Sequence, residues 1–176
     1  LEALPVDWDA LLTEHVPAHR ALFDRSRFEL EDERFSDETL NSELLDDAYE
    51  SGRCPNRLTE RMWAYGRYLL VSATREGGLP CPLLGLWSGE YGAGWSFNMA
   101  NINLEMIYWE AVGGCLPELM LPVFDYYDAM LPAMRRQSRR LYGCSGIWLN
   151  AVTAPGPEVC YANRHILNWS GGAAWV

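Results

Sequence analysis

The chain has 176 residues, 49% of them apolar, and a net charge of −10 at neutral pH. That length supports a sizeable core, and that apolar content excludes a disordered chain. The acidic balance argues against nucleic acid and anionic membranes as partners, and no stretch is long and apolar enough to predict a membrane span. No signal peptide is visible from Leu1.

Five cysteines, at positions 54, 81, 115, 144 and 160, show neither CxxC nor Cys/His ligand spacing. This reads as free thiols, with no metal and no disulfide framework. The basic run of Arg135, Arg136, Arg139 and Arg140 falls near a predicted helix end, where cations complement the helix dipole.

Residues 7–24 carry Trp8, Leu11, Leu12, His15, His19, Leu22 and Phe23 at helical spacing, with Pro17 predicting a kink or restart. His15 and His19 share a face, which reads as packing because a metal site needs three or four ligands. Ser36 or Asp37 is expected to cap a helix that runs to about Ser51 and closes at Gly52. Residues 57–75 form the clearest helix, with Leu58, Met62, Trp63, Tyr65, Leu69 and Leu70 on one apolar face.

Residues 79–100 break this regularity with Pro80, Pro82, Gly85, Gly89, Gly92 and Gly94. A loop of that length inside a compact domain is usually functional. It carries Trp87, Tyr91, Trp95 and Phe97, rings suited to stacking on a sugar face or to filling a core. A helix is expected from Asn101 to Ala111. Another starts at Pro117, meets Pro132 as a break or kink, and ends near Gly143. Residues 143–172 return to loop, and Gly171 to Val176 reads as the opening turn of a further helix. Strand signals are weak throughout, so the expected architecture is all-α, an array of helical hairpins.

Asn101-Ile102-Asn103-Leu104-Glu105 places two carboxamides two residues apart and an acid two further on. Asparagine is a favoured helix cap, so one of the pair can be explained that way. The other needs a different partner if it is buried. Glu105 reads equally as a surface helix residue or as an acceptor for ligand hydroxyls.

Several landmarks now fall in a fixed order: Arg75 to Pro80, Gly85-Leu86-Trp87, Trp95, Asn101 to Met106 with Tyr108-Trp109, Tyr142-Gly143 with Gly146, Thr153-Ala154-Pro155, and Gly171-Gly172-Ala173 before Trp175. Together they resemble the catalytic domain of the inverting α-L-fucosidases of glycoside hydrolase family 95. The resemblance implies an (α/α)6 toroid of which 1–176 is the first part, as a single domain, with the remaining part of the barrel beyond residue 176. It implies hydrolysis of an α-linked fucoside or related hexoside without cofactor or metal. Asn101 and Asn103 match the motif whose carboxamide, polarised by a carboxylate, positions the attacking water. The general acid and that carboxylate would both lie later in the protein, which would leave these 176 residues inactive alone. Trp87, Trp95, Trp109 and Glu105 are the matching candidates for substrate binding.

Two positions and one segment depart from the family pattern. Met99 stands where a histidine is usual, Ile107 where asparagine is common, and Asn150 to Ala154 where fucosidases carry His-His-Asn-Thr-Asp. The last change removes groups that hydrogen-bond the sugar, the kind of contact that dominates discrimination between sugars. A non-catalytic carbohydrate-binding relative is therefore the alternative expectation.

Overall fold

The computed structural model describes residues 7–92, 98–153, 169 and 171–175. The chain divides into two compact units, Leu1–Val71 and Ser72–Val176.

In the first unit, α1 spans Trp8–Phe23, with the Asp7 carboxylate accepting from the Asp9 N–H at its start. The helix runs unbroken through Pro17, so the expected restart does not occur. The His15 and His19 rings stack at 5.9 Å, and His19 packs edge-on against Tyr68, which is the packing role expected of them. Helix α2 spans Asn41–Ser51 and ends at Gly52, whose φ of +67° suits a residue without Cβ. It begins later than its capping signal suggests. Ser36 and Thr39 instead close a turn of their own, and the Glu43 carboxylate accepts the Leu40 N–H.

Helix α3 spans Asn56–Ala73. Its Arg67 side chain is fully buried, donating from Nε to the Phe23 carbonyl at 2.9 Å and from Nη2 to the Leu22 carbonyl at 2.7 Å. The last carbonyls of α1 lack helical partners, and a guanidinium satisfies two of them while complementing the helix dipole. Arg67 also lies over the Phe23 and Trp63 rings. Arg61 does similar work on the preceding turn, donating to the Thr39 and Asp37 carbonyls.

The second unit holds the remaining elements. Strand β1 (Asn98–Met99) pairs antiparallel with β2 (Val152–Thr153), Asn98 opposite Thr153. Helix α4 spans Ile102–Gly113. It closes with the Leu116 N–H bonded to the Ala111 carbonyl and the Cys115 N–H to that of Val112. This is the Schellman arrangement, with Cys115 at φ +60° in the position usually held by glycine. A 3-10 turn at Pro117–Met120 leads into α5, Leu121–Tyr142, which continues through Pro132 and ends at Gly143 with φ +66°. The chain then doubles back along α5, the Trp148 N–H reaching the Met134 carbonyl. A terminal turn, α6, covers Gly172–Trp175.

The chain is all-α in class, as a segment of a helical toroid requires, and its only described sheet is the two-residue ladder. Buried Leu104, Tyr108, Leu119, Val123, Tyr127 and Leu149 form the core of the second unit. Among the described residues no helix is long and apolar enough to cross a membrane.

Candidate functional site

The β1–β2 ladder continues past its last pair, the Ala100 N–H donating to the Ala151 carbonyl at 2.6 Å. This fixes the backbone immediately before Asn101. Gly172 lies here too: a Cβ on it would meet the Trp169 ring at 2.5 Å and the Ala100 carbonyl oxygen at 3.5 Å. Glycine is needed at 172 because the terminal turn passes this close.

Asn101 is the N-cap of α4. Its backbone is extended, and its Oδ1 accepts the Asn103 N–H at 3.2 Å. The capping explanation therefore holds for Asn101. Asn103 sits at the second helical position, half-buried, and its carboxamide makes no hydrogen bond among the described residues. One asparagine is engaged by the helix start and the other keeps its polar group available.

Glu105 follows one turn after Asn101, its N–H bonded to the Asn101 carbonyl at 3.4 Å. Both carboxylate oxygens are enclosed and find no hydrogen-bond partner among the described residues. Desolvation pushes this carboxyl above the usual glutamate range, against a smaller pull from its backbone N–H.

Trp109 is 73% exposed, on a stripe of α4 shared with Ile102 and Met106. Trp87 is half-exposed on the loop before β1, its ring pressed against Gly85, where a Cβ would meet it at 2.7 Å. Trp95 lies outside the described residues. The structure thus gathers Asn101, Asn103 and Glu105 into one turn. It turns Trp109 to the exposed side of the helix and leaves Trp87 on the loop.

Three residues take roles here that the sequence does not assign them. The buried Tyr108 hydroxyl accepts the Cys81 N–H at 2.7 Å and bonds the Thr74 hydroxyl at 3.2 Å, tying the loop base to α4. Burial raises both the Tyr108 hydroxyl and the Cys81 thiol above their ordinary ranges. Asn150 is buried with its Nδ2 lacking a partner among the described residues, and continuing the ladder register sets it opposite Asn101. Tyr127 reaches from α5 toward the Thr153 hydroxyl, and it also helps line a cavity of about 430 Å³ with Phe124, Asp128, Leu131 and Ile147. Tyr127 and Asn150 carry no helical or strand periodicity that marks them in advance. Only the chain path sets Asn150 opposite Asn101 and Tyr127 beside β2.

No group of three or more His, Cys, Asp or Glu residues that could hold a metal occurs among the described residues. The chemistry on offer is carboxamide hydrogen bonding at the start of α4, with exposed indole rings at Trp109 on the same helix and at Trp87 on the loop. That combination suits an uncharged polyhydroxylated ligand, and it sits on an all-α scaffold.

The chain matches the glycosyl hydrolase family 95 catalytic domain over residues 7–176, and it belongs to that family. It is similar to the probable alpha-fucosidase A of Aspergillus niger, 33% identical over 144 residues, which cover 81% of this chain and 18% of that protein. Alpha-L-fucosidase 2 of Arabidopsis thaliana is 31% identical over 180 residues, covering 94% of this chain and 20% of its own length. The probable alpha-fucosidase A of Aspergillus oryzae is 33% identical over 148 residues, 82% of this chain. The chain spans about a fifth of the length of these relatives.

Proposed function

We propose that the protein containing this chain is a glycoside hydrolase that cleaves an α-linked fucoside or related hexoside with inversion. Asn103 orients the attacking water through its carboxamide oxygen. Asn101 caps the helix that presents it and offers its remaining amide to the sugar. Trp87, Trp95 and Trp109 supply apolar faces to the sugar ring, and Glu105 belongs to the same site. The general acid, and the carboxylate that polarises Asn103, come from outside these residues. An amide is a weak base, so water activation depends on that carboxylate.

The observation that carries this reading is the split between the asparagines. Capping accounts for Asn101, whereas the half-buried Asn103 carboxamide has no structural partner among the described residues. The Asn103 amide is not among the enclosed polar atoms that lack a partner, so it is open to a ligand that the fold itself does not replace.

The test is to express the full-length protein and assay it on nitrophenyl α-L-fucoside and on nitrophenyl α- and β-galactosides, beside Asn103→Ala. Turnover that drops by about 10²-fold or more in the variant is expected. Undiminished turnover in Asn103→Ala would remove that residue from the chemistry.

One observation favours a second reading, a carbohydrate-binding relative without catalysis. Ala151 and Ala154 supply no side-chain hydrogen bond where the family resemblance sets a histidine and an aspartate. Sugar-dependent tryptophan fluorescence without turnover on any of the glycosides would select it.

A further inference from the structure

The first unit holds a cavity of about 350 Å³. Every residue lining it belongs to that unit, whereas Asn101 and Asn103 belong to the second. Its size falls within the ~300–1,000 Å³ range of small-molecule sites. It forms where the chain leaves α1 at Asp24, runs past Phe28 without regular structure, and meets the first half of α3. Side chains at the start of α3 pin this segment in place. The Glu60 carboxylate accepts the Leu30 N–H, and the Asn56 amide donates to the Glu31 carbonyl at 2.7 Å. The Asp32 carboxylate accepts the Arg57 N–H at 2.9 Å.

The lining is part aromatic and part ionic. The rings of Phe23, Phe28 and Trp63 face the cavity. Phe28 is exposed, and its ring stands 5.8 Å from that of Trp63 with the planes tilted by 39°. Nη1 of Arg57 bridges Asp37 Oδ1 at 2.9 Å and Glu60 Oε2 at 2.7 Å. Arg61 is held by the Thr39 carbonyl at 2.6 Å and by Asn41 Oδ1 at 2.7 Å. These charged groups are fixed by the fold, so a ligand does not bear the cost of ordering them. Pinning accounts for Glu60 and Arg61. It does not account for an unfilled cavity faced by the Phe28 ring and by the largely exposed Asp37 carboxylate.

Charge nearly cancels around the cavity. Arg57 is matched by Asp37 and Glu60, and the exposed Arg27 by Glu29. Arg61 adds one positive charge where Asp24 adds a negative one. A strongly charged ligand therefore meets no net opposite charge. Paired carboxylates and guanidinium groups keep spare acceptor and donor capacity for hydroxyls, and aromatic rings offer apolar faces. A molecule with both hydroxyls and an apolar face matches that set.

We propose that this cavity binds a neutral saccharide unit, with the Phe28 and Trp63 rings covering its apolar face and the Asp37 and Arg57 side chains bonding its hydroxyls. The inference goes beyond the hydrolase reading and does not depend on it, because it concerns binding and not turnover.

The full-length protein tests this by titration with L-fucose, D-galactose and lactose, and with D-glucuronate as an anionic control. Hydrogen exchange is followed in peptides covering residues 24–37 and 57–64. A neutral sugar should protect these peptides saturably, and the protection should persist in Asn103→Ala. Phe28→Ala and Asp37→Ala should each need about five-fold or more sugar for the same protection. Phe28→Tyr keeps the ring and should match the parent. Phe28 and the Asp37 side chain are exposed, so both alanine variants should melt near the parent. If Phe28→Ala melts lower, Asp37→Ala decides.

No saturable protection by any of the neutral sugars would overturn the proposal. Protection that disappears in Asn103→Ala would also overturn it, by marking the effect as transmitted from the asparagines. Protection unchanged in a normally melting Phe28→Ala or Asp37→Ala would remove the pocket from binding. D-glucuronate protecting more tightly than every neutral sugar would overturn the ligand class.

Discussion

The hydroxyl of Tyr108 accepts the backbone N–H of Cys81 at 2.7 Å, with both residues buried. One tyrosine on α4 thereby anchors the base of the loop that carries Trp87. The helix that presents the asparagines and the loop that presents an indole ring share a fastening point. Thr74, just beyond α3, completes it.

Tyr108→Phe keeps the ring in the core but leaves the Cys81 N–H without its acceptor. A buried donor left unmatched costs about 1–3 kcal/mol. The variant should melt lower by that amount and be cut faster by protease between residues 79 and 87. An unchanged melting temperature with unchanged cleavage would show that water replaces the hydroxyl at no cost.

Gly85 should tolerate no side chain. Its φ of +56° disfavours L-residues, and the Trp87 ring occupies the space of a Cβ. Gly85→Ala should cost about 1–2 kcal/mol from backbone strain alone. It should also displace Trp87, visible as a change in tryptophan emission. Emission identical to the parent would show that the ring is not held by this turn.

Arg67→Met removes the cation that satisfies the Leu22 and Phe23 carbonyls. Hydrogen bonds to charged groups contribute about 1.5–3 kcal/mol each, so a loss of roughly 2–4 kcal/mol is expected after the gain of an apolar side chain. Denaturant unfolding measures it. Hydrogen exchange should accelerate first at the end of α1.

Glu105 sets a pH dependence whose sign follows from its raised pKa. Below the ordinary glutamate value of 4.5 the carboxyl is protonated in both folded and unfolded chains. As pH rises past that value the unfolded chain ionises first, so the folded state loses stability until its own higher pKa is passed. Glu105→Gln should therefore be more stable than the parent at pH 7, with the difference vanishing under acid. Melting temperatures measured from pH 4 to 8 check it, and a difference that grows toward acid would contradict it.

Helix positions were legible in the sequence wherever the apolar spacing was long and the stop signal was glycine. Helix α3 and the glycine ends of α2 and α5 fall where periodicity and capping place them. Pro17 and Pro132 cause neither a restart nor a break, because each is accommodated inside a continuous helix. The β1–β2 ladder was invisible, since two short pairs, Asn98 with Thr153 and Met99 with Val152, carry no alternation pattern. Arg67 was missed for a related reason. A lone arginine in an amphipathic helix reads as solvent-facing, and only the return of α1 supplies the carbonyls that bury it. In the site, the Asn-x-Asn spacing was readable, and so was the choice between capping and binding. The assignment of capping to Asn101 needed the backbone. Tyr127 gave no local signal, and Tyr108 and Asn150 stood only as a family landmark and a departure from the family pattern, because the partners that give them a role lie on other elements.

The most direct test compares Asn103→Ala with Asn101→Ser in the full-length protein on nitrophenyl α-L-fucoside. Serine retains the cap, so Asn101→Ser should keep its melting temperature and most of its kcat, with a higher KM. Asn103→Ala should melt normally and lose kcat by about 10²-fold or more. A variant pair in which Asn103→Ala stays active while Asn101→Ser collapses would contradict the division of roles on which the account depends.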